Sequence, residues 1–210
     1  MIRRLPKYLR KLDELSASGV TRISSTELGR ELGFTPSQIR QDFNCFGEFG
    51  QQGYGYNVTT LREQIAGILG MDRGYTAVLI GVGHIGCALI ENFCFRKWGF
   101  KLVQAFDVNP DLIGKEVCGV HVSSMEELPS FLAAHKVDIC VLAVPRDAAR
   151  STAEVLIDNG VKAIWNFTNV ELVEPDSSLI VENAHISDSL LALSYYVSNA
   201  CDAKKQKKKK

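Results

Sequence analysis

Two stretches of the chain combine residue types and spacings that point to chemistry. The first is Gly81-Val82-Gly83-His84-Ile85-Gly86, which follows the apolar run Thr76-Ala77-Val78-Leu79-Ile80 and precedes a helical pattern carried by Ile85, Ala88, Leu89 and Phe93. A G-x-G-x-x-G placed between a strand and a helix is a dinucleotide fingerprint. Gly81 allows the tight turn, Gly83 leaves room for a pyrophosphate against the backbone, and Gly86 lets the helix pack on the strand. Free amides at the start of the helix then attract phosphate. The next strand pattern, Leu102-Val103-Gln104-Ala105-Phe106, ends in Asp107, 21 residues after Gly86. A carboxylate there accepts hydrogen bonds from the adenosine ribose and repels a 2′-phosphate, so NADH and NAD+ are the expected cofactors. Val108 adjoins Asp107, and Val144, Pro145 and Phe167 end later strand patterns, where an apolar pocket would favour the uncharged ring of NADH.

The second stretch is Thr35-Pro36-Ser37-Gln38-Ile39-Arg40-Gln41-Asp42-Phe43-Asn44. Thr35 and Gln38 predict a capping box and Pro36 suits the first helical position, so a helix is expected over about residues 36–46. Ile39 and Phe43 face inward; Ser37, Gln38, Arg40, Gln41 and Asn44 face outward. Arg donates two bonds to guanine, and Gln or Asn pairs with adenine. Asp42 weighs against close phosphate approach unless a basic neighbour pairs with it.

Both stretches need a frame. Leu5, Tyr8, Leu9, Leu12 and Leu15 predict an amphipathic helix over 4–16, decorated by Arg3, Arg4, Lys7, Arg10 and Lys11. Ser24 and Glu27 predict a second, short helix that stops at Gly33. Two capped helices across a tight turn make a helix-turn-helix. Glycines alternating with aromatics over 47–58 predict a small β-hairpin, a wing with the tip Gln51-Gln52-Gly53 followed by Tyr54. A further helix carries Leu61, Ile65, Ile68 and Leu69, and residues 70–74 read as a linker. The predicted DNA contacts are Arg4, Lys7, Ser25, Ser37, Gln38, Arg40, Gln41, Asn44, Gln52, Gly53 and Tyr54. The rival reading is a small α+β domain whose polar helix face is only solvated.

Beyond residue 75, strand patterns (117–122, 137–145, 161–167, 179–182) alternate with helical ones (125–134, 147–159). That succession predicts a parallel sheet covered on both faces. The last helix, about 187–199, is apolar almost all round through Leu190, Leu191, Leu193, Tyr195, Tyr196 and Val197, so a second subunit is expected to cover it. The fold class is therefore α/β: a winged helix-turn-helix domain (1–74), a Rossmann dinucleotide-binding domain (75–186) and a C-terminal dimerisation helix (187–203), with 204–210 as a disordered lysine tail.

A dinucleotide site usually belongs to an oxidoreductase, the alternative function here. Hydride chemistry, however, needs a placed acid or base and a substrate-binding region. The sheet is followed by one helix only. His84 lies in the glycine loop, His121 and His135 read as surface residues, and His185, at the end of the last strand, is the one histidine expected near a nicotinamide. No catalytic residue and no metal site is predicted. The six cysteines, Cys45, Cys87, Cys94, Cys118, Cys140 and Cys201, form no C-x-x-C pair and read as reduced, structural thiols.

Charge sharpens the division. The 24 Lys+Arg balance 24 Asp+Glu, yet residues 1–74 hold 10 basic and 8 acidic groups, 75–203 hold 8 and 16, and 204–210 hold six lysines. An acidic body repels DNA, which confines contact to the first domain and the tail. No apolar run suits a membrane span and the N-terminus has no apolar core of a signal peptide, so a cytoplasmic location is expected.

The chain resembles the Rex family of redox-sensing transcriptional repressors over about residues 1–200. The matching stretches are Arg4-Leu5-Pro6, Arg22-Ile23-Ser24-Ser25, Gln38 to Phe43, Gly53 to Val58, Gly81-Val82-Gly83, Phe106-Asp107-Val108, Val144-Pro145 and Trp165-Asn166-Phe167. The resemblance implies a homodimer on a palindromic operator in double-stranded DNA, with winged-helix heads on Rossmann bodies and the C-terminal helix swapped onto the partner. It implies release of DNA when NADH binds. Many members have Asn, Tyr and Asp where this chain has His84, Asn92 and His185. That Asp pairs with an Arg matching Arg10 in one state, so Arg10, Asn92, His185 and the nearby carboxylate Asp188 form the expected switch region. Gln41, Gln51 and Gln52 replace basic residues common elsewhere, which predicts a shallower salt dependence or an altered operator sequence.

Overall fold

The computed structural model describes residues 1–47, 54–172 and 179–207, from residue 200 onward as backbone only. The chain divides into two compact units, Met1–Gly74 and Tyr75–Lys210.

In the first unit a 3-10 turn (Ile2–Arg4) leads into α1 (Leu5–Ala17), with Pro6 in its first turn. Leu5, Tyr8, Leu9 and Leu12 lie three to four residues apart, and all four are buried. After β1 (Arg22–Ile23), Ser24 caps α2 (Ser25–Leu32) with a complete box: the Glu27 amide donates to Ser24 Oγ at 3.1 Å and the Ser24 amide donates to Glu27 Oε2 at 2.9 Å. The chain turns at Gly33, and α3 (Pro36–Asn44) starts on Thr35, whose hydroxyl accepts from the Gln38 amide at 3.2 Å. Here the expected reciprocal box is a one-way cap; the neutral Gln38 amide group is a weaker return acceptor than the Glu27 carboxylate.

β2 (Tyr56–Asn57) pairs antiparallel with β1, Ile23 opposite Tyr56. The hairpin expected within 47–58 falls largely on residues 48–53, outside the described residues. Its described strand takes its partner from before α2, and a two-residue strand is too short to show any period. Gln51, Gln52 and Gly53 lie outside the described residues. α4 (Val58–Ile68), capped by Asn57, buries Leu61 and Ile65, and Arg62 Nε donates to Asp13 of α1 at 2.7 Å.

The second unit is a seven-stranded sheet in the order β5-β6-β4-β3-β7-β8-β9. The strands are β3 (Tyr75–Ile80), β4 (Phe100–Asp107), β5 (Glu116–Val117), β6 (Val120–Ser124), β7 (Ile139–Leu142), β8 (Ala163–Asn166) and β9 (Ile180–Asn183). All neighbours run parallel except β5 and β6. The stretch expected as one strand over 117–122 is instead this tight β5–β6 hairpin, turning at Cys118-Gly119, both with positive φ. Only Gly119 carries the usual signal for such a turn, so the pattern hid it.

Side chains of β3 alternate between two cores. Val78 and Ile80 join Phe106, Leu128, Cys140, Leu142 and Leu156 on one face, with α6 (Leu128–Ala134) and α7 (Ala149–Asp158). Leu79 joins Val82, Phe95, Ala105, Val122 and Val141 on the other, with α5 (His84–Asn92). The chain leaves β3 toward β4 and later crosses to β7 on the opposite side. The carboxyl ends of β3 and β7 thus open a topological switch point, where such sheets bind ligands.

α8 (Ile186–Lys207) closes the unit. It runs past residue 203, so Lys204, Lys205 and Lys207 are helical rather than a disordered tail. Lys, Ala and Gln are strong helix formers, and cations suit a helix C-terminus. Among its described side chains Ile186, Leu190, Leu191, Tyr195 and Tyr196 are each about two-thirds exposed.

Candidate functional site

The polar face of α3 is built from the bottom by Asp42. This residue is 3% exposed. Arg4 donates to it through Nε at 2.6 Å and Nη2 at 2.5 Å, and the Tyr8 hydroxyl donates at 2.7 Å. The bonds from Arg4, against the cost of burial, hold the Asp42 carboxyl below the usual carboxylate range, while burial and Asp42 push the Tyr8 hydroxyl up. Arg4 was expected on the DNA-facing surface; its guanidinium is instead committed to this pair, and the pair answers the objection that Asp42 raised against phosphate approach. Lys11 is likewise engaged, with Glu14 at 3.0 Å and Glu31 at 2.9 Å. Lys7 lies 5.7 Å from the Phe34 ring centroid. The basic face is therefore thinner than the sequence suggests.

Above that base, Arg40 stands exposed, its guanidinium donating to Ser25 Oγ at 3.1 Å and Ser37 Oγ at 3.2 Å. Two hydroxyls, one from each helix of the motif, thus hold one cation in a set direction. Ser37, Gln41 and Asn44 are exposed and Gln38 is half-exposed along the same helix. Tyr54 is 70% exposed, and Arg22 donates to its carbonyl at 3.0 Å.

In the second unit the glycine loop lines a cleft of about 520 Å³ at the switch point. Gly81 has φ +93°, and a Cβ there would meet the Ala143 carbonyl oxygen at 2.6 Å; a Cβ on Gly86 would collide with the Gly81 carbonyl. These two glycines are required by the fold. Gly83 is different. Its φ is −76°, and nothing lies within 4 Å of an added Cβ. The space is open to the cleft, as close approach by a phosphate requires. α5 starts on Gly83 without a side-chain cap, which leaves its first amides to an outside anion.

Asp107 is half-buried at the cleft edge. Its Oδ2 accepts from the Val82 amide at 2.5 Å and its Oδ1 from the Asn109 amide at 2.8 Å. Each oxygen keeps a second lone pair for a hydroxyl. Gly81, Gly83, His84, Ile85, Asp107, Val108, Val144 and Pro145 line the cleft; Val82 and Gly86 are buried behind the loop. Phe167, expected in the same pocket, does not line it. It packs against Trp165, ring centroids 4.5 Å apart, in the core on the α5 side of the sheet. Met125, Ala148 and Thr152 do line it and escaped the sequence reading. The signal was present: Met125 follows the carboxyl end of β6, and Ala148 and Thr152 belong to the turn and helix after β7.

His185 is half-buried, with Nε2 2.9 Å from Glu171 Oε2. Asn183 Nδ2 donates to Glu171 Oε1 at 3.2 Å, and Asn166 Nδ2 donates to Asn183 Oδ1 at 2.7 Å. Glu171, unmarked by any motif, thus places a carboxylate beside His185. Asp188 is exposed in the first turn of α8. Asn92 is exposed and donates to the Ala88 carbonyl at 3.2 Å. Arg10 is exposed on α1. Among the described residues no three metal-ligating side chains cluster, and no helix is long and apolar enough to cross a membrane.

Comparison with known proteins follows the same division. Residues 1–44 match the family described as Putative DNA-binding protein N-terminus, and residues 72–170 match the CoA binding domain family. The Redox-sensing transcriptional repressor Rex of Clostridium beijerinckii is 53% identical over 200 residues, 95% of this chain and 94% of its own. That of Clostridium acetobutylicum is 49% identical over 194 residues, 92% and 90% of the two chains. The Rex-family repressor RSP in complex with β-NAD+ and operator DNA matches with a TM-score of 0.88 at 48% identity, over 98% of this chain and 94% of that one. RSP in complex with β-NADH matches with a TM-score of 0.89 at 45% identity, over 97% and 95%.

Proposed function

The chain belongs to the Rex family of redox-sensing transcriptional repressors, and we propose that it binds a palindromic operator as a homodimer in the cytoplasm, senses the NADH/NAD+ ratio and leaves the DNA when NADH binds. The observation that carries this reading is the pairing, in one chain, of an exposed polar α3 face with a glycine-lined cleft whose open space lies at Gly83.

In this reading α3 enters the major groove. Arg40, aimed by Ser25 and Ser37, reads a guanine, and Gln38, Gln41 and Asn44 reach neighbouring edges. Lys7, Tyr54 and the wing residues Gln52 and Gly53 contact the backbone. Arg4 serves by fixing α3 to α1 rather than by touching phosphate. In the cleft, the Gly83 region and the α5 amides take the pyrophosphate and Asp107 takes the adenosine ribose. NADH presents a neutral, puckered nicotinamide and NAD+ a charged, flat one. Val144 and Pro145 give that end of the cleft an apolar wall, which favours the neutral ring. At the switch, Arg10, Asn92 and His185 act with a carboxylate supplied by Asp188 or by Glu171. An oxidoreductase reading has less support: the close relatives carry a repressor's name, and His185 is tied to Glu171.

A mobility-shift assay on palindromic fragments tests the reading. Retarded complexes are expected with NAD+ and their loss as NADH is raised; complexes indifferent to NADH would refute it.

A further inference from the structure

Several cations of the first unit are neutralised within the fold. Arg4 lies against Asp42, Lys11 against Glu14 and Glu31, and Arg62 against Asp13. Arg22 is held differently. It opens β1 and is exposed. Its Nη1 donates to the Tyr54 carbonyl at 3.0 Å, and its guanidinium carbon lies 5.9 Å from the centroid of the Tyr54 ring. Among the described residues no carboxylate pairs with it. Directly opposite stands Asn57, whose side chain is occupied by the Thr60 amide as the cap of α4. A full positive charge is thus fixed in place by neutral groups, and the guanidinium keeps further N–H donors for an outside acceptor.

The backbone sets this arrangement. Gly55 has φ +67°, and a Cβ there would meet the Ile23 carbonyl oxygen at 2.7 Å. Only glycine lets the chain approach β1 so closely, and that approach brings Tyr54 to Arg22. At the other end of the pairing the Val58 amide donates to the Thr21 carbonyl at 3.0 Å. The short β1–β2 ladder is therefore pinned at both ends. The same segment also steadies Arg40, because Ser25, on the turn that follows β1, is one of the two hydroxyls that hold it. Two exposed cations, Arg22 and Arg40, thus take their direction from residues 22–25 and from neutral partners.

We propose that Arg22 binds a phosphate of the DNA backbone beside the groove that α3 enters, and that Tyr54 positions it for this contact. The proposal rests on the DNA-binding reading and adds a residue to it. Arg40 reads sequence and Arg22 fixes register, which is how base and phosphate contacts divide the work. A guanidinium fork matches two phosphate oxygens. The Tyr54 carbonyl and ring constrain that fork before DNA arrives, which lowers the ordering cost of the contact.

The test titrates the full-length protein onto its operator and onto an unrelated duplex over a range of salt concentrations. Arg22→Gln keeps an N–H donor for the Tyr54 carbonyl and removes the charge; Arg22→Lys keeps the charge and removes the fork. In Arg22→Gln the slope of log K against log salt should flatten by about 0.9 for each subunit bound, with affinity lower by roughly eight-fold per subunit at about 0.1 M salt. The loss should be equal on the two duplexes, so that the preference between them is kept, and Arg22→Lys should restore the slope. A purely structural role would weaken the complex without moving the slope. An unchanged slope in Arg22→Gln, or a loss confined to the operator, would overturn the proposal. Where Arg22→Gln binds too weakly to titrate, Arg22→Lys decides: a wild-type slope supports the phosphate contact, and a flattened slope or lost binding overturns it. Wild-type protein that binds neither duplex would refute the DNA-binding reading and this contact with it, whereas wild-type binding with a slope indifferent to Arg22 would refute the contact alone.

Discussion

Arg40 and Asp107 are each held before any ligand arrives. Two serine hydroxyls fix the Arg40 guanidinium, and two backbone amides fix the Asp107 carboxylate. Holding a side chain in place lowers the ordering cost of recognition. Arg40→Ala should therefore lose about 1–3 kcal/mol of discrimination at one base pair, measured by competition among operator variants; an unchanged preference would remove Arg40 from base reading. Asp107→Ala should bring NADPH affinity up toward that of NADH in fluorescence titrations, because the charge opposing a 2′-phosphate is gone. It should also lower NADH affinity, since the Val82 amide loses its partner. Undiminished preference for NADH would place the ribose elsewhere.

At the scale of elements, α1 and α3 are joined by a contact that no local pattern announces. Arg4 and Asp42 stand 38 residues apart, and both look like surface charges in sequence. Only the packing of two helices makes Asp42 a buried acceptor for Arg4 and Tyr8. Asp42→Asn should cost the first unit about 2–4 kcal/mol in denaturant unfolding near neutral pH. The sign with pH follows from the lowered folded pKa. The stabilisation is present above the unfolded value, about 4, and is lost as pH falls through the folded one. The gap between wild type and variant should accordingly narrow below about pH 4; a constant gap would mean that charge is not what Asp42 contributes. The same distinction explains what was legible. Caps, the glycine loop and Asp107 are local signals and stand where their spacing puts them. The β1–β2 pairing, the Cys118 turn, Glu171 and Phe167's place in the core depend on which segments meet in three dimensions, and two-residue strands carry no period to read.

For the whole molecule, α8 is the unresolved demand of a single chain. Ile186, Leu190, Leu191, Tyr195 and Tyr196 leave a larger apolar surface in water than a soluble monomer normally shows. Covered by a second copy, they become a dimer interface and set two reading heads against a palindrome. Leu191→Asp combined with Tyr195→Asp should sediment as a monomer and lose the palindrome complex; a dimer of unchanged strength would place the interface elsewhere. In the proposed function DNA and NADH compete through the protein's conformation rather than through a shared surface. Coupling between two sites is reciprocal. The most direct measurement is therefore a closed cycle: operator affinity with and without NADH, and NADH affinity with and without operator, in one buffer. Each ligand is expected to weaken the other by the same factor, about 5- to 150-fold. NADH binding that leaves operator affinity unchanged would contradict it.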